Sequence, residues 1–145
     1  MAVDVSTEIL IARPCKQVAA YAGDPSNAAD WYANITSVRW QTLPPVGVGS
    51  RMEFVARFLG RTLAYTYEVV ECGPYRLVMR TAQGPFPMET TYTWQPEDAS
   101  GTRMTLRNRG EPAGFARVTA PVMAAAMRRA NEKDLARLKR ILESS

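Results

Sequence analysis

Between residues 35 and 110 the sequence alternates apolar and polar side chains with a period of two, broken by short turn-rich segments. This alternation is typical of β-strands that bury one face. Gaps this short connect antiparallel neighbours, because a parallel crossover needs a dozen or more residues. The pattern predicts six antiparallel strands: Ile35–Thr42, Ser50–Leu59, Thr62–Glu71, Arg76–Ala82, Met88–Gln95 and Thr102–Arg109.

The N-terminal segment adds a strand and two short helices. Residues 3–12 alternate in the same way and predict the first strand. A short helix is predicted over Lys16 to Tyr21. Asp24 followed by Pro25 is typical of an N-cap with proline in the first turn, so a second short helix is predicted to run through Trp31.

The C-terminal segment, from about Pro112 to Glu143, is rich in Ala, Met, Leu and Arg and predicts one long helix. Pro121 must either kink this helix or mark where its straight part begins. The resulting order, β-α-α-β6-α, keeps strands apart from helices and predicts an α+β domain with the long helix packed on one sheet face. Its apolar stripe is predicted to contain Val118, Val122, Ala126, Leu135, Leu138 and Leu142.

Length and composition fit one soluble domain spanning residues 1–145. The chain is 46% hydrophobic and 22% charged, as is usual for globular proteins, and its longest helical apolar stretch, residues 122–127, is too short to cross a bilayer. The N-terminus does not resemble a secretory signal. Cys15 and Cys72 are isolated from one another, which suits a reducing compartment and predicts a cytoplasmic protein.

The chain contains no histidine, which removes the commonest general base and most zinc and iron sites. Glycine-rich phosphate loops are also missing from the sequence, so neither a metal nor a cofactor is predicted. Cys15 stands at a helix start, where the dipole could lower its pKa, but with no partner nearby it is interpreted as structural.

Several fragments, in order along nearly the whole chain, resemble the START-like superfamily (SRPBCC), whose helix-grip fold is shared by pollen-allergen (Bet v 1-like) proteins and aromatase/cyclase domains. The bacterial subgroup described as polyketide cyclase/dehydrase and lipid transport is the most similar. This resemblance implies a seven-stranded curved antiparallel sheet around a long C-terminal helix, with a pocket between them, and it carries over no catalytic residue. The matching fragments are 11–14, 24–27 with Trp31, 46–50, 101–105 and 134–143.

Strand parity predicts which side chains reach that pocket, because successive residues point to opposite faces. The apolar parity carries no Asp, Glu, Lys or Arg, whereas Arg80, Glu89 and Arg107 fall on the outer face or the rim. Several inward residues are nevertheless polar and need hydrogen-bond partners when buried. The residues predicted to line a ligand cavity are Phe54, Tyr65, Tyr67, Thr90, Tyr92, Trp94 and Asn108.

Three functions remain open. The chain could bind a small hydrophobic molecule (a lipid, polyketide or aromatic metabolite) without stable membrane insertion. It could instead be a cyclase or dehydratase in which Tyr65, Tyr67 or Asn108 polarises a carbonyl of a bound poly-carbonyl chain. An interaction or nucleic-acid-binding module is the third interpretation, suggested by the net charge of +4. The basic pairs 128–129 and 139–140 lie among acids that include Asp134, which predicts a solvated helix face and no nucleic-acid partner.

Overall fold

In the computed structural model, which describes residues 3–111 and 119–145, the strands form one curved antiparallel sheet of order β1-β7-β6-β5-β4-β3-β2. Both the predicted α+β class and the predicted order are confirmed. The strands are β1 (Val3–Ile11), β2 (Ile35–Trp40), β3 (Arg51–Phe58), β4 (Arg61–Cys72), β5 (Arg76–Gln83), β6 (Met88–Asp98) and β7 (Gly101–Gly110). The helices are α1 (Cys15–Ala22), a one-turn 3₁₀ helix (Pro25–Asn27), α2 (Ala28–Trp31) and α3 (Ala120–Glu143).

The turn between β3 and β4 aligns two of the strands that face the pocket. Phe58 pairs with Arg61, so the connection has only two residues, Leu59 and Gly60, both with positive φ (49° and 77°). Such two-residue turns match the right-handed twist of the strands. The resulting register sets Phe54 directly opposite Tyr65, and both side chains are on the concave face.

Two register irregularities interrupt the pairing of β4 with β5, one between Thr66 and Tyr67 and one between Val69 and Glu71. An extra residue in one strand would normally turn the following side chains to the other face. Tyr67 and Val69 lie between the two irregularities, and both are buried as the alternation predicts. Between the two irregularities, the side chains of β4 therefore face the same sides of the sheet as predicted.

The long helix α3 begins at Ala120, with Pro121 in its first turn, where a missing N–H costs no helical hydrogen bond. Pro121 thus marks the start of the straight helix. Residues 112–118, which the prediction assigned to the same helix, lie outside the described residues.

The predicted apolar stripe is wrong in the N-terminal half of α3. Val122 is 58% exposed, whereas Met123 is buried. Counting back from Leu135 in helical steps of four passes through Asn131 and Met127 and reaches Met123. The predicted stripe did not include the polar Asn131 and passed through Val122 instead of Met123.

The core is divided into two hydrophobic clusters. The larger one packs α1, α2 and the C-terminal half of α3 against the sheet, with Trp31 and Leu138 fully buried in it. The smaller one lies where β1, β4 and the start of α3 meet, and it contains Val3, Leu63 and Met123. Side chains of both clusters border the space described below.

Charged side chains of the strands form ion pairs on the convex face of the sheet and at the edge of the cavity described below, which Glu89 and Arg109 border. Arg107 pairs with Asp4 at 2.5 Å, and Glu89 binds both Arg80 (2.6 Å) and Arg109 (2.8 Å). Exposed pairs, such as Arg107 with Asp4, contribute about 0–1 kcal/mol each. Their main consequence here is that these strand arginines already have carboxylate partners.

Candidate functional site

A cavity of about 150 Å³ lies between the concave face of the sheet and α3. Its walls are mostly apolar and aromatic, with a few polar side chains from the sheet and from α3. It is bordered by Val3, Tyr32, Asn34, Ile35, Phe54, Ala56, Phe58, Leu63, Tyr65, Tyr67, Met79, Phe86, Met88, Glu89, Thr90, Tyr92, Asn108, Arg109, Gly110, Met123, Met127, Ala130, Asn131 and Asp134.

The structure brings six of the seven predicted site residues to this cavity: Phe54, Tyr65, Tyr67, Thr90, Tyr92 and Asn108. Trp94 does not border it. Trp94 lies two residues beyond Tyr92 on the same face of β6, and its indole packs against Gly23, where the missing side chain leaves room. Parity identifies the face of a strand, but it does not say how far along the strand the cavity extends.

Sequence reasoning missed the polar wall that α3 contributes. Asn131 and Asp134 are 5% and 2% exposed, and both border the cavity. The prediction placed Asp134 on a solvated helix face, which is wrong, because Asp134 lies on the same side of α3 as the buried Leu138. The available signal was the helical spacing itself, which connects Met127, Asn131, Asp134 and Leu138.

A chain of hydrogen bonds runs from the sheet to the helix. Thr90 and Asn108 are directly opposite on β6 and β7, and the Thr90 hydroxyl donates to Asn108 Oδ1 at 2.7 Å. Because that hydroxyl's proton is used, the Tyr67 hydroxyl donates to Thr90 Oγ1 at 2.8 Å. Asn108 Nδ2 in turn donates to Asn131 Oδ1 at 3.2 Å. The polar side chains from the sheet and the helix therefore form one connected network.

Asp134 is a buried carboxyl in this otherwise mostly apolar cavity. Burial raises its pKa from 3.8 to about 6, and the Ala33 N–H, which donates to Asp134 Oδ1 at 3.1 Å, and the positive charge of Arg137 only partly oppose that rise. Asp134 therefore exchanges its proton close to neutral pH, as acid–base groups in binding clefts often do.

The cavity tyrosines remain protonated. Burial raises the pKa of Tyr67 to about 12 and also raises the pKa values of Tyr32, Tyr65 and Tyr92. The hydroxyls of Tyr32 and Tyr92 are 2.7 Å apart and share a hydrogen bond. These phenols can donate hydrogen bonds to a ligand, but they are poor bases at neutral pH.

The thiol of Cys15 is not activated by the helix that begins there. Burial raises its pKa, and hydrogen bonding with Thr102 opposes that only in part. Cys15 is also not among the residues that border the cavity.

A sequence model of the family described as polyketide cyclase / dehydrase and lipid transport matches residues 2–143. The chain belongs to this family. No curated protein matches the chain significantly.

Comparison with solved structures shows that this chain has the helix-grip fold. The Thermus thermophilus protein TTHA0849 is 23% identical over 98% of this chain and 99% of its own, with a TM-score of 0.82. A START superfamily protein from Mycobacterium smegmatis is 15% identical over 97% of both chains, with a TM-score of 0.83. The Zhui aromatase/cyclase from a Streptomyces species is 18% identical over 99% of this chain and 94% of its own, with a TM-score of 0.77. At these identities the likeness concerns the fold alone. Within the part of the chain that is described, no helix is long and apolar enough to span a bilayer.

Proposed function

We propose that this protein binds a small, neutral, largely apolar molecule in the cavity between the sheet and α3. The observation that carries the proposal is the cavity itself, which combines aromatic walls with one connected set of polar side chains. An apolar pocket with a few convergent polar groups is the usual form of a small-molecule site. Phe54, Tyr65 and Tyr92 would provide the aromatic contacts.

The cavity volume limits the size of the ligand. An engineered cavity of roughly 150 Å³ in another protein binds benzene, and drug-sized ligands occupy roughly 300–1,000 Å³. A cavity of about 150 Å³ therefore suits a molecule of about one aromatic ring. Among the ligand classes that the sequence left open, a small aromatic metabolite fits this volume, whereas a lipid or a polycyclic polyketide would require it to widen.

The charges around the cavity favour a neutral ligand. Asp134 would repel an anion, and the arginine at the cavity's edge, Arg109, is held by Glu89. An anion would lose its hydration there without gaining an unpaired cation. The same pairing of the strand arginines argues against a surface for nucleic acid, whose binding needs cations that are free to contact phosphates.

The test compares α-methylstyrene with benzoate, two molecules of nearly equal size that differ in charge. We expect α-methylstyrene to bind at pH 7.5 and benzoate to bind at least about tenfold more weakly, because its charge would be buried without a partner. Dissociation constants are measured by ligand titration in two-dimensional NMR. Tighter binding of benzoate, or no binding of α-methylstyrene, would contradict the proposal.

The buried carboxyl of Asp134 supports a second candidate function, that of a dehydratase. The description of the family names this activity. The Asp134 carboxylate, present above about pH 6, could remove the proton beside the carbonyl of a β-hydroxy ketone. The carbon–carbon double bond would form as the carbon–oxygen bond breaks. The hydroxyl group would leave with the same proton, returned by Asp134, as water.

The dehydratase is tested with 4-hydroxybutan-2-one, which is small enough for the cavity and yields an enone with a strong ultraviolet absorbance. We expect the wild-type protein to accelerate enone formation over buffer, with a rate that rises through about pH 6. Asp134→Asn should lower that rate about 100-fold or more, the usual contribution of a general base. Equal rates for the two proteins would exclude Asp134 as the base.

A further inference from the structure

One side-chain donor in the cavity wall has no partner. Asn131 is only 5% exposed, and its Nδ2 group has no hydrogen-bond acceptor among the described residues. The indole N–H groups of Trp31 and Trp94 share this property, but neither residue borders the cavity, whereas Asn131 does. A buried donor without a partner costs about 1–3 kcal/mol. A molecule in the cavity that places an acceptor next to this donor would remove that cost.

In the network described above, the amide nitrogen of Asn131 is the atom left free. Tyr67 donates to Thr90, Thr90 donates to Asn108 Oδ1, and Asn108 Nδ2 donates to Asn131 Oδ1. The carbonyl oxygen of Asn131 is thereby occupied, and the amide N–H₂ group is the end of the chain. Each bond in such a chain polarises the next one, which makes the terminal N–H a stronger donor.

We propose that the Asn131 amide N–H₂ recognises the ligand by donating a hydrogen bond to a neutral carbonyl oxygen. This inference rests on the proposed binding function and narrows its ligand class to small aromatic ketones and aldehydes. Tyr67, Thr90 and Asn108 act as positioning residues, because they hold the amide in the orientation that exposes its donor.

Asp134 explains why the acceptor is a carbonyl and not a carboxylate. Residues three apart on a helix lie on the same side of it, and both Asn131 and Asp134 border the cavity. A carboxylate ligand would gain the N–H bond but would be repelled by Asp134. A neutral carbonyl satisfies the donor without that repulsion, and the apolar walls contact the aromatic ring.

The experiment measures the affinities of acetophenone and α-methylstyrene, molecules of nearly equal size that differ in C=O against C=CH₂. We expect Asn131→Leu to weaken acetophenone binding about tenfold relative to its effect on α-methylstyrene, because only the ketone loses a hydrogen bond. The comparison between the two ligands cancels their different solubilities in water. Met127→Leu is the matched control, since it alters the same cavity wall without a polar atom and should affect both ligands equally.

The outcomes separate this inference from the function on which it rests. If both ligands bind and Asn131→Leu changes their affinities equally, the carbonyl contact is wrong and the binding function stands. If neither ligand binds the wild-type protein, both proposals fail. Phenol, which can donate a hydrogen bond, tests the opposite orientation of the amide. If Asn131→Leu weakens the binding of phenol but not of acetophenone, Asn131 presents its carbonyl oxygen to the ligand, and the inference is overturned.

A second measurement needs no variant, which matters because Asn131→Leu also deprives Asn108 of its acceptor. The infrared carbonyl band of ¹³C-labelled acetophenone is recorded bound to the wild-type protein and in an apolar solvent. We expect a lower stretching frequency in the protein, because a hydrogen bond from Asn131 or from a cavity phenol weakens the C=O bond, and the variant comparison above identifies which of them is the donor. The same frequency in both environments would overturn the inference.

Discussion

Replacing Asp134 with asparagine is expected to stabilise the protein at pH 7.5 and to leave its stability unchanged near pH 3. The wild-type carboxyl has a pKa of about 6 in the folded protein against an ordinary value of 3.8. A difference of this size corresponds to roughly 3 kcal/mol that the ionised, buried carboxylate costs the fold. Asparagine keeps an acceptor for the Ala33 N–H and removes the charge.

The sign of the pH dependence follows from the raised pKa. Between pH 3.8 and about 6 the folded protein binds the proton more tightly than the unfolded chain does. The contribution of Asp134 to the free energy of unfolding therefore falls as the pH rises through this interval, and it is constant outside it. Denaturant titrations of both proteins at several pH values measure the difference between them, which we expect to grow from near zero at pH 3 to about 2–3 kcal/mol above pH 7.

Glu132→Gln is the matched control, because Glu132 is an exposed carboxylate on the same helix. Its effect should stay within about 0.5 kcal/mol, as for ordinary surface substitutions. A difference between Asp134→Asn and wild type that does not depend on pH would show that the Asp134 carboxyl is not held in a desolvating site.

Replacing Ala130 with leucine is expected to weaken ligand binding while the protein remains folded. Ala130 borders the cavity from α3, so the larger side chain would occupy the space assigned to the ligand. A ligand bound beside the introduced isobutyl group would be overpacked at a cost of about 1–3 kcal/mol, which lowers affinity roughly 5- to 150-fold. Without ligand, the leucine side chain enters existing free volume and needs little displacement of the core.

The binding assay with α-methylstyrene measures this loss, and Ala126→Leu serves as its control. Ala126 is a half-buried alanine of the same helix that does not border the cavity. We expect Ala126→Leu to retain wild-type affinity. Undiminished binding to the Ala130→Leu protein would place the ligand somewhere other than the cavity between the sheet and α3.

The strands and their inward faces were predictable from the sequence alone. A strand's side chains alternate strictly, and charged residues avoid the buried face, so Phe54, Tyr67 and Tyr92 could be placed by their spacing and by the charges between them. The α+β class was predictable because the strands are grouped apart from the helices along the chain. Each amphipathic element needs a partner for its apolar face, so the long helix was expected to pack on the sheet.

The tertiary structure alone decided which of these residues share a cavity. Trp94 has the right parity, yet it packs against Gly23 at the end of α1, and no local pattern encodes the distance between two elements far apart in sequence. Asn131 and Asp134 are polar, and polarity on a helix normally means exposure to solvent. The tertiary structure packs this side of α3 against the sheet. There Asn108 donates a hydrogen bond to Asn131 and the Ala33 N–H donates one to Asp134, so these two polar residues form a wall of the cavity.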